Sequence, residues 1–370
     1  MGRKIWGRVA EGVTEEREKQ VKIVFVLPDM PGGGSERVVA MLANEYVKLG
    51  YEVAILLFAG NRTAYELDER VEVVIAGEES SGNALIRLKR LVNMRRFYKA
   101  NKNCYIFSFC VMGTVFSVPA AWGIPHRLLV SERNDPTRIK HQKLRNWAYR
   151  KAEKLVFQTE DMKRCFPQDI QDKSEVIPNP VGKEMPEPYV GERKKWVVSA
   201  ARLKPQKNHK LLIDAFAEFQ KNHSDYELHI FGVGELEGEL KAQVRDLKLE
   251  DKICFHGFSS NVKEEVRDSA MFVLSSNYEG ISNSMIEALA MGVPVISTDC
   301  PVGGSAAYIQ NEVSGILTPV GDKEALAAAM CRVADDPQWA EQLGRNAVRI
   351  KETYSLSRIA HRFLEAAGLE

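Results

Sequence analysis

The stretch Pro178-Asn179-Pro180-Val181-Gly182-Lys183-Glu184-Met185-Pro186-Glu187-Pro188 places four prolines in eleven residues. Proline fixes φ and has no amide hydrogen to donate, so neither a helix nor a sheet ladder runs through this segment, and it reads as a linker. On its N-terminal side, short apolar β-branched runs alternate with longer amphipathic ones, the βα pattern of a parallel sheet. Strands are expected at 22–27, 53–57, 71–75, 104–108, 127–130 and 154–158, with helices near 35–49, 84–99, 113–122 and 139–150. Beyond the linker the alternation starts again, with strands at 196–200, 227–231, 253–255, 271–274 and 293–297 and helices at 208–222, 236–247 and 284–291. A restarted pattern means an α/β protein of two doubly wound, Rossmann-like domains, expected over residues 21–185 and 195–352. Residues 1–20 read as a leader and 353–370 as a C-terminal segment.

Composition narrows the class. The 370 residues suffice for two cores of ordinary size, and 45% apolar content is that of a globular protein. No apolar run approaches the roughly 20 residues that span a bilayer, and the charged first twenty residues lack the apolar centre of a secretory signal. Six cysteines without a C-x-x-C pair suggest neither a zinc ribbon nor a disulfide framework, so a reducing cytoplasm is expected. The net charge is +1, but residues 1–190 carry 30 Lys+Arg against 24 Asp+Glu and residues 191–370 carry 21 against 26. The basic excess concentrates in residues 87–102, which hold seven positive charges and no acid. If Leu88, Leu91, Val92, Phe97 and Tyr98 share one helical face, the helix suits an anionic membrane surface, and the protein would be peripheral on the inner face of the cell membrane. Nucleic acid is not expected as a partner, because platform aromatics are not interleaved and the chain is nearly neutral.

In open parallel sheets ligands bind beyond the carboxyl ends of the strands, and the notable loops of this chain fall there. Gly32-Gly33-Gly34-Ser35 follows the first strand; its glycines let backbone approach a ligand and Ser35 is the expected N-cap. Arg202 and Lys207 follow the first strand of the second domain, where a guanidinium fork and an ammonium suit a diphosphate. Further on, Glu279-Gly280-Ile281-Ser282-Asn283-Ser284-Met285-Ile286-Glu287 runs from a loop into a helix, with seven residues between two carboxylates. A carboxylate accepts two hydrogen bonds side by side, so Glu287 suits a ribose and Glu279 sugar hydroxyls, while the amides from Gly280 to Ser284 form a helix N-terminus that favours phosphate.

These segments, with the Phe231-Gly232-Val233-Gly234 turn and His256-Gly257-Phe258, resemble the retaining GT-B glycosyltransferases of family 4, from about residue 21 onward. The resemblance implies two Rossmann-like domains facing across a cleft. It assigns donor diphosphate binding to Arg202 and Lys207, ribose binding to Glu287, the transferred sugar to Glu279, and base contact to backbone near Phe258; Gly33, Gly34 and Gly232 complete the donor side. The first domain would receive the acceptor, and the last helix, near 356–367, would cross back onto it. Residues 107–111 and 130–136 are similar to enzymes that extend lipid-linked or surface polysaccharides. Many relatives have histidine where Arg133 stands. Arginine does not act as a base at neutral pH, so Arg133 either binds an anionic acceptor or braces the loop, and Glu132 is placed to orient an acceptor hydroxyl. The resemblance thus implies transfer of a hexose or N-acetylhexosamine from a nucleotide sugar, a UDP-sugar by family analogy, to a polyprenyl-linked or polysaccharide glycan. Glu279, Arg202 and Lys207 would assist the chemistry. No D-x-D triplet is present to clip a divalent ion, and neither metal nor cofactor is expected.

Rival readings fare less well. Gly232-Val233-Gly234-Glu235-Leu236-Glu237-Gly238 misses the dinucleotide pattern by one residue, and no P-loop occurs. A sugar-nucleotide epimerase of the same architecture, and a catalytically silent sugar-nucleotide-binding subunit, remain the alternatives; turnover with an acceptor separates them.

Overall fold

A computed structural model describes residues 21–77, 83–259 and 261–370; the expected leader, 1–20, lies outside the described residues. The first sheet contains β1 (Lys22–Leu27), β2 (Glu52–Leu57), β3 (Glu72–Ile75), β4 (Cys104–Ser108), β5 (His126–Ser131), β6 (Lys154–Phe157) and β7 (Ser174–Val176). They pair in the order β3-β2-β1-β4-β5-β6-β7, every pair parallel. The second contains β8 (Lys194–Ala200), β9 (Glu227–Phe231), β10 (Ile253–Gly257), β11 (Ser269–Leu274), β12 (Val295–Thr298) and β13 (Ile316–Thr318), in the order β10-β9-β8-β11-β12-β13, again all parallel. In both sheets the order reverses beside the first strand, which creates the crevice where loops converge.

Central strands such as β1, with Ile23 to Leu27 at 1% exposure or less, are apolar on both faces because helices cover both. The helix Leu356–Ala367 returns to the first domain, where Phe363 packs on Phe107 and Phe109 and the Tyr46 hydroxyl donates to Ala360 O at 3.1 Å. The proline segment starts inside the protein: residues 177–181 are buried, Val181 N donates to Tyr354 O at 2.8 Å, and residues 182–188 are exposed or half-buried.

Several elements differ from expectation. The first helix is Gly34–Lys48, with Gly33 rather than Ser35 at its N-cap. The helix expected at 139–150 is shorter, Gln142–Tyr149, and a separate short turn, Pro136–Arg138, precedes it. The basic helix, Ala84–Ala100, does not gather its apolar residues on one face. Met94, Phe97 and Tyr98 point into the core, whereas Leu88 is 57% and Val92 40% exposed. Among the described residues no helix is long and apolar enough to cross a membrane.

His209, at the start of helix His209–Phe219, is 1% exposed, and neither ring nitrogen has a hydrogen-bond partner. Burial, with Lys207 nearby, pushes its pKa down to about 4. The unfolded chain therefore takes up this proton first as pH falls, and the stability of the neutral-histidine state is lost from about pH 6.5 towards pH 4. Between pH 7 and pH 5 this single group should remove about 2 kcal/mol of unfolding free energy. Urea melts of His209→Leu should show an acid limb flatter by that amount; an unchanged pH profile would contradict it.

Candidate active site

The C-terminal edge of the second sheet is organised around the loop after β8. Pro205–Lys207 forms one tight turn, and Asn208 then adopts φ 47°, ψ 48°, a left-handed conformation that asparagine tolerates. Its side chain accepts from Leu211 N and donates to Asn277 Oδ1 at 3.0 Å. The loop after β11 is stitched alongside: Ser275 Oγ donates to Lys207 O at 3.0 Å, and Gln206 Nε2 to Tyr278 O at 3.0 Å. Two rigid loops thus hold Lys207 and Glu279 together, and the Lys207 ammonium forms an ion pair with Glu279 Oε1. Ser276 Oγ donates to the same oxygen at 3.1 Å. Arg202 is exposed; its carbonyl accepts from Lys204 N at 2.8 Å, and its guanidinium makes no hydrogen bond or ion pair among the described residues. Gly232, at φ 135°, lies where a Cβ would come within 2.0 Å of Ala201 O, so its glycine permits backbone contact between two loops.

The helix expected from Ser284 begins one residue earlier, as Asn283–Ala290. Its N-cap, Ser282, makes no side-chain cap; its hydroxyl shares a 3.1 Å hydrogen bond with that of Ser284. The first-turn amides therefore keep their capacity for an acceptor. Ile281 is buried beside them, and Gly280 sits against the first domain, where a Cβ would meet Arg133 O at 2.5 Å. One turn along the helix, Glu287 is 7% exposed and its Oε1 is held by the guanidinium of Arg37, from the helix of the first domain. Phe258, by contrast, is 80% exposed at the end of β10.

Across the cleft, the amides of Gly32 and Gly33 both donate to Glu36 Oε2, so the glycine loop already holds a carboxylate. Gly33 O accepts from the Tyr65 hydroxyl at 2.9 Å, and Gly34 O from Asn283 Nδ2 at 3.3 Å. Glu132 does not face the cleft. It is 1% exposed, accepting from Tyr149 Oη at 2.8 Å and from the amides of Arg133 and Asn134 at 3.0 and 3.2 Å. Burial raises its pKa, and its carboxylate shapes the loop instead of meeting an acceptor hydroxyl. Arg133 is also buried. Its guanidinium lies 4.7 Å over Phe109 and 5.5 Å over Phe363, and burial pushes its pKa down to about 9.

Sequence reasoning missed the residue that gathers these parts. Asn179, in the proline segment, is 3% exposed; its Oδ1 accepts from Arg133 Nη1 and Gln158 Nε2, each at 2.7 Å, and its Nδ2 donates to Asn283 Oδ1 at 2.9 Å. Its carbonyl oxygen accepts from Tyr308 Oη at 2.7 Å. The available signal was a polar residue between Pro178 and Pro180, held extended by both. Arg37 was also missed, although it follows Ser35-Glu36 at the start of the helix after the glycines.

Two family models together match residues 32–349 of the chain. One, described as Glycosyltransferase Family 4, spans residues 32–184, and the other, Glycosyl transferases group 1, spans 183–349. The chain is a family 4 glycosyltransferase. This glycosyltransferase is 26% identical over 356 residues to a Campylobacter jejuni α-1,4-N-acetyl-D-galactosaminyltransferase that acts on a diphospho-undecaprenol-linked glycan, covering 93% of this chain and 98% of the relative. A second C. jejuni enzyme, a diphospho-undecaprenol 4-α-N-acetylgalactosaminyltransferase, is 26% identical, covering 85% and 90%. Among solved structures, Anabaena Alr3699/HepE in complex with UDP-glucose superposes with a TM-score of 0.83 at 18% identity, covering 94% of this chain and 100% of that one. That likeness identifies the fold as the two-domain glycosyltransferase architecture.

Asn179→Ala should destabilise the glycosyltransferase by about 2–4 kcal/mol, because it leaves the Arg133 and Gln158 donors buried without their acceptor. Asn179→Asp keeps an acceptor for both and should lose less. Denaturant unfolding tests the order; an alanine variant within about 1 kcal/mol of wild type would contradict it.

Proposed function

We propose that this glycosyltransferase moves a hexose or N-acetylhexosamine from a UDP-sugar, with retention at the anomeric carbon, to a lipid-linked or polysaccharide glycan. The observation that carries the reading is the first turn of helix Asn283–Ala290, whose amides lack a side-chain cap, lying next to loops that hold Lys207 against Glu279. A helix N-terminus with a nearby ammonium is suited to a diphosphate. In this reading the second domain, 195–352, holds the donor and the first, 21–185, the acceptor. Arg202 and Lys207 take the diphosphate with the amides from Gly280 to Ser284, Glu287 exchanges Arg37 for the ribose hydroxyls, and Glu279 meets the sugar. Backbone near Phe258 meets the base, and Gly33, Gly34 and Gly232 border the donor. The UDP complexes of structural neighbours support the nucleotide, and the undecaprenol-linked substrates of the C. jejuni relatives support the acceptor.

In the transfer step the bond from the anomeric carbon to the diphosphate oxygen breaks, and the acceptor oxygen bonds to the same face. The departing diphosphate receives the acceptor proton. The protein aligns the reactants and neutralises charge growing on the leaving group, effects worth several kcal/mol in preorganised sites. Lys207→Ala and Glu287→Ala should each weaken UDP-sugar binding by about tenfold or more, roughly 1.4 kcal/mol, with transfer falling in parallel. Calorimetry reads the affinity; wild-type affinity in both variants would refute the assignment. Donor binding with no turnover on any polyprenyl-linked or glycan acceptor would favour the silent-subunit alternative.

The helix Ala84–Ala100 supports attachment to an anionic membrane surface. Leu85, Leu88 and Val92 are exposed among its basic residues, and Trp122 nearby is 80% exposed. Its backbone oxygen accepts from Arg95 Nη1 at 2.8 Å, which ties the tryptophan to the helix. Apolar side chains interleaved with cations suit the lipid headgroup boundary. At roughly 1 kcal/mol per basic residue, Lys89→Glu, Arg96→Glu and Lys99→Glu together should lower partitioning onto phosphatidylglycerol liposomes by about 100-fold. Flotation unchanged by the triple substitution would dismiss this surface.

A further inference from the structure

Strands β9 and β10 lie side by side at one edge of the second sheet, with Cys254 directly beside His229 in the pairing register. Side chains alternate along a strand, so while Leu228, Ile230 and Ile253 enter the helix-covered core, Glu227, His229, Cys254 and His256 share the opposite face. There a carboxylate oxygen of Glu227, a ring nitrogen of His229 and the sulfur of Cys254 all lie within 4.8 Å of one another. His229 Nε2 is 3.1 Å from Glu227 Oε2, and Nδ1 is 2.8 Å from His256 Nε2. The imidazole is 4% exposed and held flat against the Trp196 ring, 3.8 Å between centroids and 23° between planes.

We propose that Glu227, His229 and Cys254 bind one divalent ion of the zinc class, with solvent at the fourth position. One nitrogen, one oxygen and one sulfur donor make a borderline-soft set that suits Zn²⁺ and discriminates against Mg²⁺ and Ca²⁺. Metal–ligand bonds of about 2.0–2.3 Å place tetrahedral donors roughly 3.3–3.7 Å apart. The Glu227–His229 separation is already close to this, and rotation about the Cys254 Cα–Cβ bond adjusts the sulfur. With Nε2 on the ion, Nδ1–H donates to His256 Nε2, the outer-sphere hydrogen bond that fixes a ligating imidazole. Cys254 binds as thiolate, its proton passing to solvent. Without the ion the same groups form a closed chain, His256 Nε2–H to His229 Nδ1 and His229 Nε2–H to Glu227, so the site persists when empty.

The three ligands are separate from the proposed transfer machinery, which occupies loops beyond the C-terminal ends of β8, β9, β10 and β11, whereas Glu227 opens β9 and Cys254 is the second residue of β10. The ion would crosslink the edge strand β10 to its neighbour β9 just before their register shifts between Phe255 and Gly257. It supplies no group to the sugar and stands apart from any D-x-D type of catalytic metal.

The test uses the full chain without a histidine tag, stripped with chelator, dialysed and titrated with Co²⁺ followed by Zn²⁺. One equivalent of Co²⁺ with a thiolate-to-cobalt charge-transfer band, displaced by Zn²⁺ and not by Mg²⁺, is expected, together with a Zn²⁺-dependent rise in melting temperature. Cys254→Ser should abolish the band and weaken binding at least about tenfold, and Glu227→Gln should weaken binding while keeping the band. Both positions are partly exposed, so metal-free melting temperatures close to wild type verify folding. The proposal fails if folded wild type binds no stoichiometric Co²⁺ or Zn²⁺, or if the band and affinity survive Cys254→Ser.

Discussion

A single buried amide, the side chain of Asn179, holds the two domains in register. It lies in the covalent bridge between them, and it joins Arg133 and Gln158 of the first domain to Asn283 at the start of the second domain's cleft-facing helix. Flanking prolines restrict the backbone that carries it, so the side chain is delivered at small conformational entropy cost. Every partner is itself buried or half-buried, and a hydrogen bond in such surroundings is costly to leave unmade. The cleft geometry therefore follows from the linker's chemistry and not only from the two sheets.

Arg133 illustrates how much the arrangement depends on that amide. Its Nη1 bonds to Asn179, while Nε and Nη2 find no hydrogen-bond partner. The faces of Phe109 and Phe363 compensate in part through their electron-rich rings. Phe363 belongs to the returning C-terminal helix, so this cation also ties the end of the chain to the loop beside Gly280. Lys207 and Glu279 are fixed by a different device, two loops laced by side-chain-to-backbone bonds from Ser275 and Gln206. Both devices hold charge in place before any ligand arrives, which is what electrostatic preorganisation requires.

The two-domain α/β plan was legible because its signals are local: β-branched runs, amphipathic periods and a cluster of prolines. What escaped was short or non-local. Strands β7 and β13 have three residues each, too few to display a period, and both acquire strand geometry from a neighbour already in the sheet. The helices Lys323–Asp335 and Pro337–Ala347 carry ordinary start signals, Asp322 and Asp336 as caps and Pro337 at the first position, yet the expected elements of the second domain stop at residue 297. At the site, residue types pointed to Lys207, Glu279 and Glu287, but their pairing depends on strand order and on domain contact. Glu132 was placed on the wrong side of its loop because one-dimensional spacing cannot tell an inward carboxylate from an outward one when Tyr149 arrives from a separate helix. In the same way, Glu227-x-His229 and Cys254-x-His256 are unremarkable dipeptide spacings until β9 and β10 become neighbours.

The bridge between Arg37 and Glu287 makes the cleft an exchange station for counterions. A molecule that takes Glu287 Oε1 has to displace the Arg37 guanidinium, and that displaced cation remains anchored on the rim by its own helix. Occupancy of the carboxylate is thereby converted into a newly liberated positive group on the opposite wall. An anion entering next meets a stronger field than the first arrival did, so occupation of the two walls is sequentially coupled by charge alone.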